Sequence, residues 1–591
     1  MRCHAAAVHI LPPLLLSAAL VGGAHAQPDP KPNPDLTIAP CAVPGVEGPA
    51  RCGTLRAWED RAARAGRKIP IRFVVLPATG PSPARDAIVP LAGGPGSSAI
   101  EGAAGTAWEV KEARSERDIL IPDQRGAGGS NSLDCDLYGP RDSVRAYFGD
   151  WYPAEAVAAC VPRLAAQADV RLYGTDAWAD DLDELRAALG YDQLDLYGAS
   201  YGTRAALVYM RRHPERARTA VLLGSLPTGA RQPLRLAPGA QRAIDGVFAG
   251  CAAEPACATA FPDLPGSLRR VVDRLSRAPV EVEIVHPETG EPVTVPLTRD
   301  LFGEALRYLL YSAGDALLVP AVVHQAALGD FQPAAEQALS RRRDVVGGPS
   351  AGLYLSSTCN EDVPFVDLAE GARLAEGTFL GDYRVRHQAA ACARWPSAPV
   401  PRDFLEPVTA DVPTLLLSGE LDPVTPPSQG AEVAAHLPRA LHVVVPRAAH
   451  GFSGLQHGWE CADAMIVQLI RAGDLAAVDT SCVATVRRPP FFTGRLEPHP
   501  VALAPAEAAR FVGTYQGQGF TLTITNAGGG RLRAQFTGDR ERLLLPVAAD
   551  RFRMADVPSS RIRFEVESGT VKGARPSFGG ENEGELLPRV P

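Results

Sequence analysis

The stretch Leu194-Asp195-Leu196-Tyr197-Gly198-Ala199-Ser200-Tyr201-Gly202 decides the fold of this chain. Its first four residues form a short apolar run typical of a buried strand, and a helix-forming segment, 201–212, follows. Between them lies a G-x-S-x-G pattern centred on Ser200. This pattern is typical of a sharp strand-to-helix turn, where glycines are needed because two backbones approach closely. The sequence therefore predicts Ser200 as a nucleophile on such a turn.

A second match to the pattern, Gly348-Pro349-Ser350-Ala351-Gly352, has a different context. The pattern alone is a weak signal in a chain with 56 glycines, so the surrounding sequence must decide between the two matches. Only two apolar residues precede the second match, and they follow the basic run 341–343. We therefore interpret Ser350 as an ordinary loop serine and the basic run as a solvated helix end.

Apolar runs resembling strands recur on both sides of residues 194–202, with helical patterns such as 176–189 between several of them. They lie at 71–76, 87–91, 118–122, 219–223, 414–417 and 441–445. Short apolar strands that alternate with helices indicate a mostly parallel, buried sheet of the α/β class.

The chain is too long for one domain, since 591 residues exceed the ~100–200 of a typical domain. We predict a core formed by 27–227 and 411–490, with a proline-rich, flexible entry at 27–50. The interval 228–410 lacks the strand rhythm and is predicted to be an inserted helical lid. Period-two alternation with glycine-rich turns predicts a small antiparallel β domain at 505–588.

The N-terminus indicates export. Residues 10–21 are mostly apolar and Ala24-His25-Ala26 fits a small-x-small cleavage site, so a signal peptide is predicted over 1–26. The apolar run is shorter than the ~20 residues that span a bilayer, and a retained membrane anchor is the alternative. We expect no stable membrane insertion after its removal and a periplasmic or secreted protein.

Cysteine usage agrees with export. Apart from Cys3, ten cysteines form five sequence-adjacent pairs that an oxidising compartment would allow to form disulfides, although sequence does not fix connectivity. The proposed pairs are Cys41 and Cys52, Cys135 and Cys160, Cys251 and Cys257, Cys359 and Cys392, and Cys461 and Cys482. Zinc spacing is lacking, so neither a metal nor another cofactor is expected. A formal net charge of −8 argues against nucleic acid as a partner.

A serine nucleophile needs a base and an orienting acid, expected later in the chain in the order acid, then histidine. The strand after the lid ends in a turn with two carboxylates, of which Asp422 is favoured because a proline fixes the turn just after it; Glu420 is the alternative. The next strand leads to His450. His442 lies within that strand and is interpreted as structural, and His457 as a surface residue.

These residues predict the usual division of roles. His450 would take the proton of Ser200 and return it to the leaving group, while Asp422 orients the imidazole. A tetrahedral oxyanion needs backbone donors, which we expect from the amides of Tyr201 and Gly94. For the loop Gly93-Gly94-Pro95-Gly96, a tight turn without a catalytic role is the alternative.

Together these segments resemble the proline iminopeptidase and tripeptidyl aminopeptidase group of α/β-hydrolases, over about residues 50–490. Residues 93–96 resemble the oxyanion loop of that group, 123–130 (DQRGAGGS) its D-x-R-G-x-G-x-S segment, and 197–204 its nucleophile elbow. Residues 413–482 are similar to the C-terminal region of the tripeptidyl aminopeptidases. Two features depart from the group: Ala92 replaces a common histidine, and the tail at 505–588 is additional.

The resemblance implies an α/β-hydrolase fold and cleavage at the free amino end of a peptide through an acyl-enzyme. It also implies acidic lid residues that hold the substrate ammonium, for which Glu361 and Asp362 are candidates; two surface acids are the alternative. We therefore expect a serine aminopeptidase. An esterase or thioesterase with the same triad is the second hypothesis, and a non-catalytic binding protein is the third.

Overall fold

The computed structural model describes residues 33–140, 142–496, 501, 503–517, 520–537, 539–578 and 584–590. The predicted signal peptide and Cys3 lie outside these residues. The strands are β1 (Leu36–Cys41), β2 (Ala50–Trp58), β3 (Lys68–Leu76), β4 (Ala87–Leu91), β5 (Asp118–Pro122), β6 (Leu194–Ala199), β7 (Ala217–Leu223), β8 (Val280–Val285), β9 (Pro292–Leu297), β10 (Thr414–Gly419), β11 (Ala440–Val445), β12 (Gly513–Gln516), β13 (Thr521–Gly528), β14 (Arg531–Phe536), β15 (Arg542–Pro546), β16 (Arg551–Met554), β17 (Ser560–Glu567), β18 (Thr570–Phe578) and β19 (Leu587–Pro588).

The α-helices divide among the same parts of the chain. They are α1 (Ala103–Glu109), α2 (Ala154–Ala165), α3 (Thr175–Leu189), α4 (Tyr201–Arg212), α5 (Pro233–Ala252), α6 (Pro255–Ala260), α7 (Leu264–Arg277), α8 (Arg299–Leu309), α9 (Ala313–Ala316), α10 (Val319–Ala327), α11 (Gln332–Gly347), α12 (Ala351–Glu361), α13 (Leu368–Ala375), α14 (Tyr383–Cys392), α15 (Pro427–Ala434), α16 (Gly458–Ala472) and α17 (Pro505–Ala509).

A nine-stranded sheet forms the core, in the order β1-β2-β3-β5-β4-β6-β7-β10-β11. The six strands from β5 to β11 pair in parallel, whereas β1, β2 and β3 form an antiparallel edge. Every residue of β4 and β10 is buried, which explains their unbroken apolar runs, because helices cover both faces of a parallel sheet. The predicted mostly parallel sheet is confirmed, but the entry at 27–50 is not uniformly flexible, since it includes β1.

This topology brings three distant segments to one edge of the sheet. Ser200 follows β6, Asp422 lies in the turn after β10, and His450 lies in the loop after β11. Because the carboxyl ends of parallel strands meet at one edge, their side chains can gather there.

The segment between β7 and β10, predicted to be a helical lid, contains helices α5 to α14 and also an antiparallel hairpin of β8 and β9. This hairpin was not predicted from the sequence. Val282 and Ile284 are buried on one side of β8 while Glu281 and Glu283 are exposed, the period-two pattern of a half-buried strand.

The basic run 341–343 was also misinterpreted. It lies within α11, and Arg342 and Arg343 are 3% and 5% exposed. Arg342 donates to the carbonyls of Gly149 and Asp150, and Arg343 forms an ion pair with Glu288 at 2.6 Å. The guanidinium groups are buried because carbonyl and carboxylate oxygens replace their hydration.

Strands β12 to β19 form a separate antiparallel sheet in chain order, as predicted for the C-terminal region. Its two ends approach each other, since the amide of Val590 donates to the carbonyl of Thr514 at 2.8 Å, which gives a barrel-like form. Buried side chains such as Tyr515, Phe552 and Phe564 fill the interior. The exact limits of the core, lid and β domain stay predictions.

Candidate active site

Ser200 occupies a strained turn between β6 and α4. Its backbone has φ 55° and ψ −122°, a conformation that non-glycine residues rarely adopt. A Cβ atom at Gly198 would overlap the carbonyl of Gly202, and one at Gly202 would overlap the carbonyl of Leu91. The two glycines of the pattern are therefore required by close backbone contacts on either side of the serine.

Asp422 and His450 form a short, buried hydrogen bond. His450 Nδ1 lies 2.7 Å from Asp422 Oδ2, and the two side chains are 13% and 1% exposed. Asp422 Oδ1 also accepts from the amides of Val424 and Thr425, and its Oδ2 from Thr425 Oγ1, each at 2.8 Å. Burial alone would raise the pKa of Asp422, but His450 and these amides outweigh it and hold the pKa below its ordinary value. The acid is therefore kept ionised beside the imidazole.

The other acidic and histidine candidates lie elsewhere. Glu420 is exposed and accepts from the amide of Arg447 at 2.7 Å. His442 faces Ser418 Oγ at 2.9 Å, and His457 is exposed. Among the described residues, Asp422 is the acid that contacts the ring of His450.

The backbone of Gly224 connects the serine turn with this acid–histidine pair. The amide of Ser200 donates to the carbonyl of Leu223 at 2.8 Å, and Gly224 follows directly. A Cβ atom at Gly224 would lie 3.2 Å from His450 Cε1 and 3.4 Å from Asp422 Oδ2. The three candidate residues thus surround one short backbone segment, although the described residues include no hydrogen bond between Ser200 Oγ and His450. Catalytic hydrogen bonds are often long without substrate.

The glycine loop lies against Ser200. A Cβ atom at Gly93 would be 3.2 Å from Ser200 Cβ, and Gly94 lines the same cavity as Ser200 and Tyr201. Within the part of the chain that the structure describes, the amides of Gly94 and Tyr201 donate to no other residue. Both amides are therefore free to bind an oxyanion.

The D-x-R-G segment fixes this loop from behind. Asp123 Oδ1 accepts from Ser98 Oγ at 2.8 Å and from the amide of Ile100 at 3.1 Å, just after the glycines. Arg125 is fully buried and binds Asp181 through two hydrogen bonds of 2.6 and 2.8 Å. Residues 123–130 therefore hold the glycine loop in place, a role that the sequence motif alone does not indicate.

Ser350 also has a structural position. It is the N-cap of α12, and its amide donates to the carbonyl of Gly96 at 2.9 Å. A Cβ atom at Gly96 would be 2.6 Å from the carbonyl oxygen of Ser350. The second G-x-S-x-G match therefore joins the lid to the glycine loop.

A cavity of about 250 Å³ opens beside Ser200 beneath the lid. Much of its wall is aromatic, formed by Tyr138, Trp151, Tyr152, Tyr308, Tyr311 and Tyr354. Tyr308, Tyr311 and Pro349 also line an adjoining depression that His450 faces. The ring of Tyr311 stands edge-on to that of His450, with centroids 5.1 Å apart.

The two acids proposed for the substrate ammonium are both buried and differ in position. Asp362 lines the cavity and receives two 2.9 Å hydrogen bonds from Arg204. Glu361 accepts from the amide and hydroxyl of Thr175 at 2.6 and 2.8 Å and lies behind the wall. Burial raises the pKa of Glu361 to about 7, although Arg204 and Thr175 lower it. The alternative of two surface acids was wrong, since they are 0% and 2% exposed.

The structure joins the ten described cysteines into the five adjacent pairs expected from sequence. The bridge between Cys359 and Cys392 ties α12 to α14, and Cys135 lines the cavity. Within the described ranges, no group of three or more His, Cys, Asp or Glu side chains is placed to hold a metal ion. In the same residues, no helix has the length and apolar composition needed to span a bilayer.

Thr425, Arg204 and Arg384 line the cavity and were not predicted from sequence. Thr425 bonds its hydroxyl to Asp422 and lies 3.1 Å from His450 Nδ1. Its position three residues after Asp422 is typical of a turn in which an aspartate caps the following amides, so that signal was available. Nothing in the sequence marks the two arginines.

Comparison with known proteins agrees with this geometry. Residues 86–259 match the family model described as alpha/beta hydrolase fold. Serine protease Hip1 of Mycobacterium tuberculosis is 27% identical over 519 residues, which cover 78% of this chain and 94% of that protein. The putative hydrolase YuaR of Escherichia coli is 27% identical over 193 residues, 32% of this chain and 38% of that protein. The chain is therefore a serine hydrolase with the α/β-hydrolase fold.

A second segment, residues 377–482, matches the family model described as TAP-like protein. The resemblance stated from sequence is thus confirmed. A solved proline iminopeptidase of Mycobacterium smegmatis is 16% identical with a TM-score of 0.31, and the match covers 72% of this chain and 99% of that one.

Proposed function

We propose that the chain is an exported serine aminopeptidase, with Ser200 as nucleophile, His450 as general base and Asp422 as orienting acid. Asp422 hydrogen-bonds to Nδ1 of the His450 ring. The other ring nitrogen, Nε2, is therefore available to accept the proton of Ser200. A lowered pKa keeps Asp422 negative, which stabilises the imidazolium that forms.

The reaction would proceed in two steps. Ser200 Oγ attacks the scissile carbonyl while His450 takes its proton, and the oxyanion is held by the amides of Gly94 and Tyr201. His450 then returns the proton to the leaving amine. Water, deprotonated by the same imidazole, hydrolyses the acyl-enzyme and restores Ser200.

One observation carries the choice of an aminopeptidase: the buried carboxylate Asp362 lies on the wall of the same lid-covered cavity as Ser200. Asp362 accepts three hydrogen bonds, from two nitrogens of Arg204 and from the amide of Gln232. A carboxylate offers about four acceptor positions, so one is left for a substrate ammonium. Glu361, directly behind, would add negative charge when ionised. The serine protease among the relatives agrees with a peptide substrate.

An esterase or thioesterase is the second candidate, favoured by the aromatic wall of the cavity, which suits an apolar acyl group. The two candidates differ in their need for a free amino group. We expect aminoacyl and peptidyl nitroanilides to be cleaved, and N-acetylation to reduce kcat/KM by at least tenfold. If acetylation leaves the rate unchanged, the aminopeptidase assignment fails; if only nitrophenyl esters are cleaved, the esterase is correct.

Two variants separate the roles. Ser200→Ala should abolish turnover of both substrate classes while the melting temperature stays within a few degrees. Asp362→Asn should raise KM for free-amine substrates more than for acetylated esters. Asp367→Asn is the matched control, because Asp367 caps α13 at an exposed position of the lid.

For export, we propose that residues 1–26 are removed as a signal peptide and that the mature chain is periplasmic or secreted. Support comes from the N-terminal pattern and from five disulfides, which persist in oxidising compartments. N-terminal sequencing of the protein from its natural host should begin at Gln27. A chain that retains residues 1–26 and sediments with membranes would instead support the anchor.

A further inference from the structure

Three guanidinium groups lie on the wall of the Ser200 cavity, those of Arg204, Arg307 and Arg384. Two of them have carboxylate partners. Arg204 binds Asp362 with two 2.9 Å hydrogen bonds, and Arg307 binds Glu304 at 2.6 Å. In each of these two pairs the positive and negative charges nearly cancel. The net positive charge of the cavity wall therefore comes from Arg384.

Arg384 has no carboxylate within 4 Å among the described residues, although it is only 7% exposed. Its Nη2 donates to Tyr354 Oη at 3.3 Å, and its buried Nη1 has no hydrogen-bond partner in the described part of the chain. A buried charged donor without a partner is costly, because the protein has removed its hydration without replacing it. The position therefore fits an anion supplied from outside the chain.

The arginine is held rigidly. It lies in the first turn of helix α14, which the disulfide between Cys359 and Cys392 ties to α12. Its guanidinium carbon lies 4.9 Å from the ring centroid of Trp151, and Trp151 also lines the cavity. The indole Nε1 of Trp151 is buried and, like Arg384 Nη1, makes no hydrogen bond to a described residue. Two unpaired donors thus lie on neighbouring side chains of one wall.

We propose that Arg384, with Trp151 as a second donor, forms a subsite for a carboxylate of the substrate. This inference rests on the proposed peptidase function and specifies its substrate class. A planar guanidinium matches a carboxylate through two parallel hydrogen bonds. In a short peptide the carboxylate is either an acidic side chain or the C-terminus.

None of the other ionisable groups described around Arg384 forms an ion pair with it within 4 Å. Glu304 accepts three hydrogen bonds from Arg307, and it also interacts with Tyr383 and attracts Arg384 from a greater distance. Tyr354 and Tyr383 are neutral near pH 7, because burial raises the pKa of both phenols. Glu361 contacts Thr175 and Arg204 rather than Arg384.

A purely structural role, in which Arg384 only stacks on Trp151, predicts no preference for substrate charge. The test therefore compares kcat/KM for peptidyl nitroanilides that differ only by Glu or Gln at one position, tried at each residue of the peptide. A second arm compares unmodified peptides with free and amidated C-termini, since the nitroanilides lack a C-terminal carboxylate.

We expect the wild-type protein to favour the carboxylate by about tenfold or more in one of the two arms, as charged hydrogen bonds do. Arg384→Gln should bring this ratio close to one, and Arg384→Lys should restore part of it. Trp151→Phe, which keeps the aromatic surface, should lower the ratio by a smaller factor. Arg386→Gln is the control on the same helix, because Arg386 is exposed and pairs with Asp382; its ratio should match the wild type.

No charge preference in either arm of the wild type, or an unchanged ratio in active Arg384→Gln, would overturn the proposal. If Arg384→Gln does not fold, inhibition of the wild type decides: glutarate should compete with a neutral substrate, and glutaramide should not. Equal inhibition by both compounds would count against the subsite. Failure of the aminopeptidase assignment is seen separately, as insensitivity to N-acetylation.

Discussion

Replacing Asp422 by asparagine should remove most of the activity without removing the fold. The carboxylate accepts four hydrogen bonds, two at Oδ1 from the amides of Val424 and Thr425, and two at Oδ2 from Thr425 Oγ1 and His450 Nδ1. An asparagine side chain has a single oxygen. This oxygen must face the backbone amides of Val424 and Thr425, because these two donors need an acceptor and the NH₂ group cannot accept. Its NH₂ group then faces His450 Nδ1.

This geometry reverses the imidazole tautomer. With a donor facing Nδ1, the ring must carry its proton on Nε2 and cannot accept the proton of Ser200. In serine hydrolases such a tautomer costs about 10⁴-fold in kcat, or about 5 kcal/mol of barrier. We therefore expect kcat of Asp422→Asn to fall by about that factor on both nitroanilide and nitrophenyl ester substrates.

The measurement is steady-state kinetics at pH 7–8 with melting temperatures recorded alongside. Glu420→Gln is the matched control, since Glu420 lies two residues away and, among the residues that the structure describes, its side chain hydrogen-bonds to the amide of Arg447 alone. We expect the control to stay within about threefold of the wild type, as is usual for an exposed residue. The reasoning is refuted if Asp422→Asn keeps more than a tenth of kcat, or if Glu420→Gln loses as much.

Three further predictions concern stability. Gly202→Ala should prevent native folding or strongly lower the melting temperature, because the added Cβ atom would overlap the Leu91 carbonyl; a soluble, fully active variant would contradict this. Replacing both Cys359 and Cys392 by alanine should lower the unfolding free energy by about 4 kcal/mol, since the bridge closes a sequence separation of 33; denaturant titration checks this, and no change would argue against the bridge. Burial raises the pKa of Glu361 from an ordinary 4.5 to about 7. Between these pH values the unfolded chain binds fewer protons than the folded chain, so the free energy of unfolding should decrease as the pH rises from 4.5 to 7. Glu361→Gln should flatten that part of the pH profile, and an unchanged profile would assign the loss to other groups.

Local sequence determined the fold and the centre of the site. The residues around Ser200, Asp422 and His450 each combine an apolar strand with turn-forming residues, and such signals act over a few residues. The strands that carry them were predicted because a buried parallel strand must be apolar along its whole length. In the core and the lid, strands β1 and β2 and the hairpin of β8 and β9 were missed, since their mixed composition is that of half-exposed strands.

Tertiary structure decided what surrounds the serine. Nothing local shows that Arg384 faces the cavity without a carboxylate, that Asp362 is paired with Arg204, or that Ser350 contacts the glycine loop. These facts depend on which helices of the lid pack over the sheet, and the burial of a charged side chain depends on neighbours far away in the chain. A pattern of residues can specify a turn and its chemistry, but the desolvation and pairing of charges are properties of the packed molecule.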